Sequence, residues 1–234
     1  MKRLIGLDLD GTLTQHRTPL DAEHRALLDA LGRKYKIVIV AAGNAPRVYA
    51  QMGEYPVDII ANYGMQESRI VDGKFSMIRD DVVVPDKEFF VRETDYLREK
   101  YGYSVFAGES LEFHESGMVT FPLLGTGANL ADKISFDPDR RKRHVLYPEV
   151  LELFKGYSVF VGGSSSFDFT PQNYNKYDAM LQYGKENGYS VNEMLYVGDD
   201  FGDGGGDSHI RLGGMDYIEV KDYRNSPAML ECLL

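Results

Sequence analysis

The sequence predicts an α/β protein, with a Rossmann-like doubly wound parallel sheet and an α+β domain inserted into it. Two observations lead to this prediction. Short apolar runs alternate with helical patterns in the first and last thirds of the chain, as they do where helices connect parallel strands. The middle third carries short alternating segments, which are typical of an antiparallel α+β unit. The chain therefore divides into core residues 1–81, an inserted domain over 82–173 and core residues 174–234.

The first part of the core contains three predicted strands and two predicted helices. Apolar runs at residues 4–7, 37–40 and 57–61 predict buried strands. Leucines at helical spacing predict a helix within residues 21–34, and Pro46 stands where the next helix would begin. This order of strand and helix predicts a parallel sheet.

The pattern changes near residue 69, where Asp72-Gly73 between two strand-like runs predicts a hairpin. Helices are then predicted over 86–100 and 147–154. Short strand-like segments are predicted at residues 103–106, 111–115, 118–123, 157–161 and 166–170.

The core pattern resumes with a helix over 175–187, a strand over 194–197, a loop rich in glycine and aspartate, and a last strand over 217–220.

Composition narrows the classes of partner. The 234 residues are 43% hydrophobic, and 26 Lys plus Arg against 36 Asp plus Glu give a formal charge of −10. This balance argues against nucleic acid or an anionic membrane as partner, and no run approaches the roughly 20 apolar residues of a membrane helix. The single Cys232 cannot form an intramolecular disulfide, so we expect a soluble protein of the reducing cytoplasm.

Two aspartates, Asp8 and Asp10, follow the first predicted strand, and Gly11 comes next. Residues two apart on a strand point to one face, and glycine lets the backbone turn sharply. Ligands of open α/β sheets bind at the carboxyl ends of strands, where paired carboxylates attract a hard cation such as Mg²⁺. The alternative, an EF-hand calcium loop, would need Glu at its twelfth position, where this chain has Pro19.

A second acidic loop, from Gly198 to Asp207, follows the strand predicted over 194–197. Alone it could be a calcium-binding loop or a solvated turn. Together with the Asp8 and Asp10 pair, it is the expected second wall of a Mg²⁺ site.

The segment Asp8-Leu9-Asp10-Gly11-Thr12 resembles the signature of the haloacid dehalogenase superfamily. The resemblance implies that Asp8 is the nucleophile towards phosphorus, that Asp10 is the acid/base, and that Mg²⁺ is the cofactor. Lys176, at the start of a predicted helix, has the spacing of the lysine that holds the nucleophile ionised in this superfamily.

The resemblance also implies a ligand set for the metal. Asp199 is the expected direct ligand beside Asp8 and Asp10, with Asp207 and Asp203 in support.

The second motif of the superfamily, a Thr or Ser after the second strand, is absent, because Ala42 stands where Thr is usual. Asn44, or the backbone amides of Gly43 and Asn44, could bind the phosphoryl group instead. The alternative is that Asn44 only favours the turn.

Within the superfamily, the chain resembles the eukaryotic-type phosphomannomutases and related sugar phosphatases that carry a cap domain. The match includes Gly162-Gly163-Ser164-Ser165-Ser166-Phe167-Asp168, with Lys176 at the same distance, and the Gly198 to Asp207 loop, in which Gly206 replaces an Asn. Arg17 falls where this branch has an Arg after the opening motif. We therefore include Arg17 among the substrate-binding residues.

The inserted domain departs from this branch where the cap would bind a sugar phosphate. Two arginines of the family pattern are replaced, by Glu115 and Thr126, whereas Lys133 keeps a third cationic position. Ser166 and Asp168 are the expected ligands for sugar hydroxyl groups, since alternation puts both on one face of a strand.

We therefore expect a Mg²⁺-dependent phosphatase that hydrolyses a small phosphorylated metabolite, in particular a sugar phosphate, through an aspartyl phosphate. The loss of two arginines weakens the case for a mutase, which must hold a distal phosphate while the other end reacts. A phosphohexomutase and a non-catalytic sugar-phosphate-binding module are the alternatives. The mutase relatives dimerise through their caps, so a homodimer is one possible state.

Overall fold

Contacts divide the chain into two compact units in the computed structural model, which describes residues 1–234. The core unit comprises Met1–Asp81 and Tyr174–Leu234, and the inserted unit comprises Val82–Asn173.

The structure has eleven strands, which form two sheets, one in each unit. In chain order they are β1 (Leu4–Leu7), β2 (Lys36–Val40), β3 (Asp58–Ala61), β4 (Gln66–Val71), β5 (Lys74–Asp80), β6 (Glu112–Phe113), β7 (Val119–Pro122), β8 (Tyr157–Phe160), β9 (Ser166–Pro171), β10 (Met194–Gly198) and β11 (Tyr217–Glu219). The core sheet has the order β11-β10-β1-β2-β3-β4-β5. Its first five strands are parallel, and the β4 and β5 hairpin joins antiparallel. The inserted sheet has the antiparallel order β6-β7-β9-β8.

Eight α-helices accompany the sheets, and none of them combines the length and the apolar character that crossing a lipid bilayer requires. They are α1 (Ala22–Leu31), α2 (Ala45–Gln51), α3 (Lys87–Tyr101), α4 (Leu130–Phe136), α5 (Arg141–Leu153), α6 (Lys176–Glu186), α7 (Ser208–Leu212) and α8 (Ser226–Leu230). A parallel sheet in one unit and an antiparallel sheet in the other confirm the predicted fold class.

The β1 strand is buried along its whole length because the core sheet is covered on both faces. Ile5 and Leu7 pack into the apolar cluster on one face, whereas Leu4 packs into the cluster on the other. Leu7 pairs with Ile39 of β2 and with Val197 of β10. The carboxyl ends of these three strands therefore lie side by side.

The inserted unit has a core rich in phenylalanine, in which Phe90, Phe121, Phe154, Phe167 and Phe169 are fully buried. Phe121, Phe167 and Phe169 belong to the strands of the four-stranded sheet. Edge-to-face contacts such as that between Phe90 and Phe169 connect the rings.

The two points where the chain leaves and re-enters the core unit are joined by a hydrogen bond. The Tyr174 hydroxyl donates to Oδ2 of Asp81 over 2.9 Å. The same Asp81 oxygen lies 3.7 Å from Nε of Arg79.

The inserted domain differs from the expectations in three places. Residues 103–106 form no strand, and Val105 is exposed despite the alternating pattern around it. The helix predicted over 147–154 is α5, which begins six residues earlier, at Arg141, in a polar turn that the apolar pattern does not reveal. The α4 helix was not predicted, because it has no buried residue and hence no buried apolar face.

Candidate active site

Asp8 lies at the end of β1, where its backbone N–H donates to the Val197 carbonyl of β10 over 2.9 Å. This contact places Asp8 beside the end of β10, and its side chain is buried. The Thr12 hydroxyl lies 3.3 Å from Oδ2 of Asp8 and 3.3 Å from Oδ1 of Asp199. The first motif and the glycine and aspartate loop are therefore in direct contact.

Lys176, the first residue of α6, connects these two segments. Its Nζ donates to Oδ1 of Asp8 over 2.6 Å and to Oδ1 of Asp207 over 2.8 Å, and all three side chains are buried. Burial alone would lower the pKa of Lys176, but the carboxylates of Asp207 and Asp8 outweigh it and raise that pKa. Lys176 is therefore a permanent cation beside the predicted nucleophile.

Asp8, Asp199 and Asp207 form a cluster of three carboxylates, with one oxygen from each lying within 4.8 Å of the other two. Burial raises the pKa of Asp8 well above the usual carboxyl range. Lys176 acts to lower this pKa, whereas the carboxylates of Asp207 and Asp199 raise it further. Burial and Asp207 raise the pKa of Asp199 to about 6. Carboxylates that are crowded in this way fit a hard divalent cation, which would compensate their repulsion.

Asp207 has the fewest oxygen positions left for a metal. Its Oδ1 accepts from Lys176 and from the Tyr196 hydroxyl at 2.7 Å, and its Oδ2 accepts from the backbone N–H groups of Asp199 and Asp200. Asp8 and Asp199 therefore fit direct contact with a cation, whereas Asp207 orients Lys176 and the loop.

Gly11 allows the two acidic segments to approach each other. Its φ is +99°, and a Cβ at this position would lie 2.4 Å from Oδ2 of Asp199. Any other residue would push the Asp199 carboxylate away from Asp8.

The side chain of Asp10 is not part of the three-carboxylate cluster. Its Oδ1 accepts the backbone N–H of Arg17 and the Nε2 of Gln51, both at 2.7 Å. Burial opposes ionisation, but these hydrogen bonds outweigh it and lower the pKa of Asp10. Asp10 is thus a carboxylate at neutral pH. Its side chain lies outside the group of three carboxylates, and its role as a metal ligand stays a prediction. Arg17 itself is exposed.

Asp203 also lies outside this group of three carboxylates, and its supporting role stays a prediction. Its side chain is 88% exposed and lies 3.3 Å from Nη2 of Arg211. Only the ends of the glycine and aspartate loop face Lys176.

Asn44 is the N-cap of α2, with its Oδ1 accepting the backbone N–H of Arg47 over 2.9 Å. This is the turn role that was the alternative to phosphoryl binding. Gly43 lies beside the guanidinium of Arg47, a residue that was not expected at the site. Tyr196 was not expected either, because an aromatic residue inside an apolar strand gives no sign that its hydroxyl has a polar partner.

In the inserted unit, Asp168 is part of a chain of polar contacts across β7 and β9. The Thr120 hydroxyl donates to Oδ1 of Asp168 over 2.8 Å, and Nε2 of His114 lies 3.0 Å from that hydroxyl. Ser166 donates to the Gly162 carbonyl, which places its hydroxyl in the local loop.

Lys133 donates to the Thr126 carbonyl over 3.1 Å. Its ammonium group therefore contacts the backbone at Thr126, one of the two positions at which the sequence resemblance implies an arginine.

No protein-family model matches the chain. Its sequence is similar to that of a phosphomannomutase from Encephalitozoon cuniculi, at 23% identity over 221 residues, which are 89% of this chain and 84% of that protein. A phosphomannomutase from Nicotiana benthamiana is 26% identical over 223 residues, with 88% and 84% covered.

Among solved structures, an IMP-nucleotidase from Plasmodium falciparum has a TM-score of 0.68 at 15% identity, over 100% of this chain and 70% of that one. A phosphatase of the haloalkanoate superfamily from Bacteroides thetaiotaomicron has a TM-score of 0.64 at 18% identity, over 100% and 95%. A haloacid dehalogenase-like hydrolase from Bacillus subtilis has a TM-score of 0.63 at 13% identity, over 97% and 92%. These likenesses show that the chain shares their fold.

Proposed function

We propose that this chain, which has the haloacid dehalogenase fold and resembles its branch of cap-bearing sugar phosphatases and phosphomannomutases, is a Mg²⁺-dependent phosphatase of a small phosphorylated metabolite. One observation carries the proposal. Asp8 is buried at the end of β1, directly bonded to Lys176 and close to Asp199.

In the proposed reaction, an oxygen of Asp8 attacks phosphorus and the bond from phosphorus to the leaving oxygen breaks, which gives an aspartyl phosphate. Lys176, already bonded to Asp8, offsets the negative charge of the phosphoryl oxygens during the attack. A bound Mg²⁺, held by Asp8 and Asp199, would neutralise the repulsion between the nucleophile and the anionic phosphoryl group.

Asp10 is the proposed acid/base. In the molecules in which its carboxyl group holds a proton, it gives that proton to the leaving oxygen in the first step. The resulting carboxylate then removes a proton from the water that hydrolyses the aspartyl phosphate, which restores the protonated form. The hydrogen bonds from Arg17 and Gln51 hold its carboxylate in place and favour the ionised form, which is the form that activates water.

A sugar phosphate is the proposed substrate. The phosphomannomutase relatives support this choice, and so does Asp168 in the inserted unit, since a carboxylate beside hydroxyl groups suits the recognition of a polyol. Glu115 and Thr126 stand where two family arginines would bind a second phosphate, which favours hydrolysis of a monophosphate over a mutase reaction.

Phosphorus NMR of the purified protein with Mg²⁺ and a panel of hexose and pentose phosphates tests the proposal, with Asp8→Asn as the control. Inorganic phosphate should appear with the wild type and not with the variant. Interconversion of 1- and 6-phosphates without phosphate release would establish a mutase instead. Binding without any turnover across the panel would establish a non-catalytic module.

A further inference from the structure

The loop after β2 offers no hydroxyl group to a phosphoryl ligand. Ala41, Ala42 and Gly43 follow Val40 directly. Because β2 lies beside β1 in a parallel arrangement, this loop is at the same edge of the core sheet as Asp8. A phosphoryl group bound to Asp8 would meet only small residues on this side unless a side chain from elsewhere reaches it.

The guanidinium of Arg47 reaches this loop and lies over Gly43. A Cβ added to Gly43 would be 1.8 Å from Nη2 and 2.5 Å from Cζ of Arg47, which no pair of atoms tolerates. A side chain at position 43 and the guanidinium therefore exclude each other. Ala42 stands where the hydroxyl is expected, and the glycine next to it makes the space that the guanidinium fills.

Two neighbours hold the guanidinium of Arg47. Its Nη1 donates to Oε1 of Gln51 over 2.7 Å, and its Nη2 lies 3.6 Å from Oδ2 of Asp10, an ion pair too long to be a hydrogen bond. Gln51 in turn donates to the other oxygen of Asp10. Arg47 thus keeps N–H donors for a ligand, and its side chain is 34% exposed.

The negative charge of the carboxylates and of a bound phosphate at this edge of the sheet exceeds what Lys176 alone can neutralise. Asp8, Asp199 and Asp207 lie together there, Asp10 lies beside Arg47 and Gln51, and Lys176 already binds Asp8 and Asp207. A phosphate monoester brings further negative charge. The planar guanidinium fork matches a pair of phosphate oxygens, and it binds them with directed hydrogen bonds that a lysine cannot reproduce.

We propose that Arg47 binds the phosphoryl group of the substrate in place of the absent hydroxyl, while Gln51 and Asp10 hold its guanidinium in position. The inference rests on the proposed phosphatase function and specifies its substrate further. A guanidinium fork at this place selects a terminal phosphate monoester, whose free oxygens can accept both N–H groups.

Calorimetric titration of the full-length protein with inorganic phosphate, in the presence of Mg²⁺, tests this role. Arg47→Ala should weaken phosphate binding by about 10- to 100-fold, the effect of losing hydrogen bonds between charged groups. The phosphate affinity of Arg47→Lys should lie between those of the wild type and Arg47→Ala, because lysine keeps the charge and lacks the planar guanidinium. Arg33→Ala is the matched control, since it removes an exposed arginine three residues before β2, near the opposite edge of the sheet.

Gly43→Ala gives a second test that keeps Arg47 and the net charge. The added methyl group should displace the flexible guanidinium rather than the backbone, so phosphate binding should fall about as far as in Arg47→Ala. The double variant should bind no more weakly than Arg47→Ala alone. Thermal unfolding of each variant checks that the core unit remains folded.

Phosphate affinities of Arg47→Ala and Gly43→Ala that equal that of Arg33→Ala would overturn the inference. If the wild type still hydrolyses phosphate monoesters through Asp8 in that case, the proposed function stands. If the wild type binds phosphate through Arg47 but hydrolyses nothing, the inference stands and the proposed function fails. If the wild type neither binds phosphate nor hydrolyses a monoester, both fail.

Discussion

The Tyr196→Phe substitution removes one hydroxyl group from the buried network that positions Lys176. Tyr196 lies in β10 and is fully buried, and its hydroxyl donates to Oδ1 of Asp207 over 2.7 Å. Burial and the Asp207 carboxylate raise the pKa of Tyr196, so the hydroxyl keeps its proton and remains a donor. Phenylalanine has the same shape without the hydroxyl, so the change isolates one hydrogen bond.

The loss in the free energy of unfolding follows from the charge of Asp207 and the burial of both side chains. A hydrogen bond to a charged group contributes about 1.5–3 kcal/mol to the free energy of unfolding. Asp207 retains Lys176 and two backbone N–H donors, so the carboxylate is not left without partners. We therefore expect a loss in the lower half of that range, about 1.5–2 kcal/mol. The kcat of the variant should also fall, because Oδ1 of Asp207 orients Lys176.

Urea unfolding followed by circular dichroism, with EDTA present to exclude metal binding, measures this loss. Tyr217→Phe is the matched control, because it removes an exposed hydroxyl from the neighbouring strand β11. A difference between the two variants below about 0.5 kcal/mol, the usual range for surface substitutions, would refute the structural role of Tyr196.

Three further predictions concern the carboxylates and the inserted unit. Mg²⁺ should raise the melting temperature of the wild type and of Asp203→Asn but not of Asp199→Asn, as measured by scanning calorimetry; equal responses of the two variants would contradict the assigned cluster. Because the pKa of Asp199 is raised to about 6, the folded state holds its proton where the unfolded state has lost it, so in EDTA the free energy of unfolding should fall as pH rises from about 4 to 6. Urea titrations should show a shallower fall for Asp199→Asn, and a steeper one would exclude this origin. Arg143→Met should destabilise the inserted unit by about 3–5 kcal/mol in urea, because it leaves the buried Asp137 carboxylate unpaired, whereas the exposed Arg141→Met should change little.

The positions of Asp8 and Lys176 could be predicted from the order of strands and helices along the sequence. Asp8 follows a clear apolar strand and Lys176 begins a helix, and parallel strand pairing brings such positions to one edge of a sheet. The contact between them spans 168 residues along the chain, yet it follows from the alternation of strands and helices.

The roles within each loop could not be predicted in this way. Asp203 and Asp207 are alike as residues on a glycine-rich loop, and only the path of the backbone decides that Asp207 points to Lys176 while Asp203 points to solvent. Arg47 lies one helical turn beyond Gly43, and a surface arginine would have the same spacing. What distinguishes it is that its guanidinium fills the space above Gly43, and only the three-dimensional structure shows this contact.

The hydrogen bond between Tyr174 and Asp81 has a consequence for how this chain can be divided and rebuilt. It ties together the two ends between which residues 82–173 are inserted, so removing the insert would not leave two distant ends to be bridged. A short glycine linker from Asp81 to Tyr174 would join the two parts of the core unit into one continuous polypeptide, at little cost in loop entropy. We therefore expect the unit that bears the carboxylates to fold without residues 82–173 when such a linker joins its two parts.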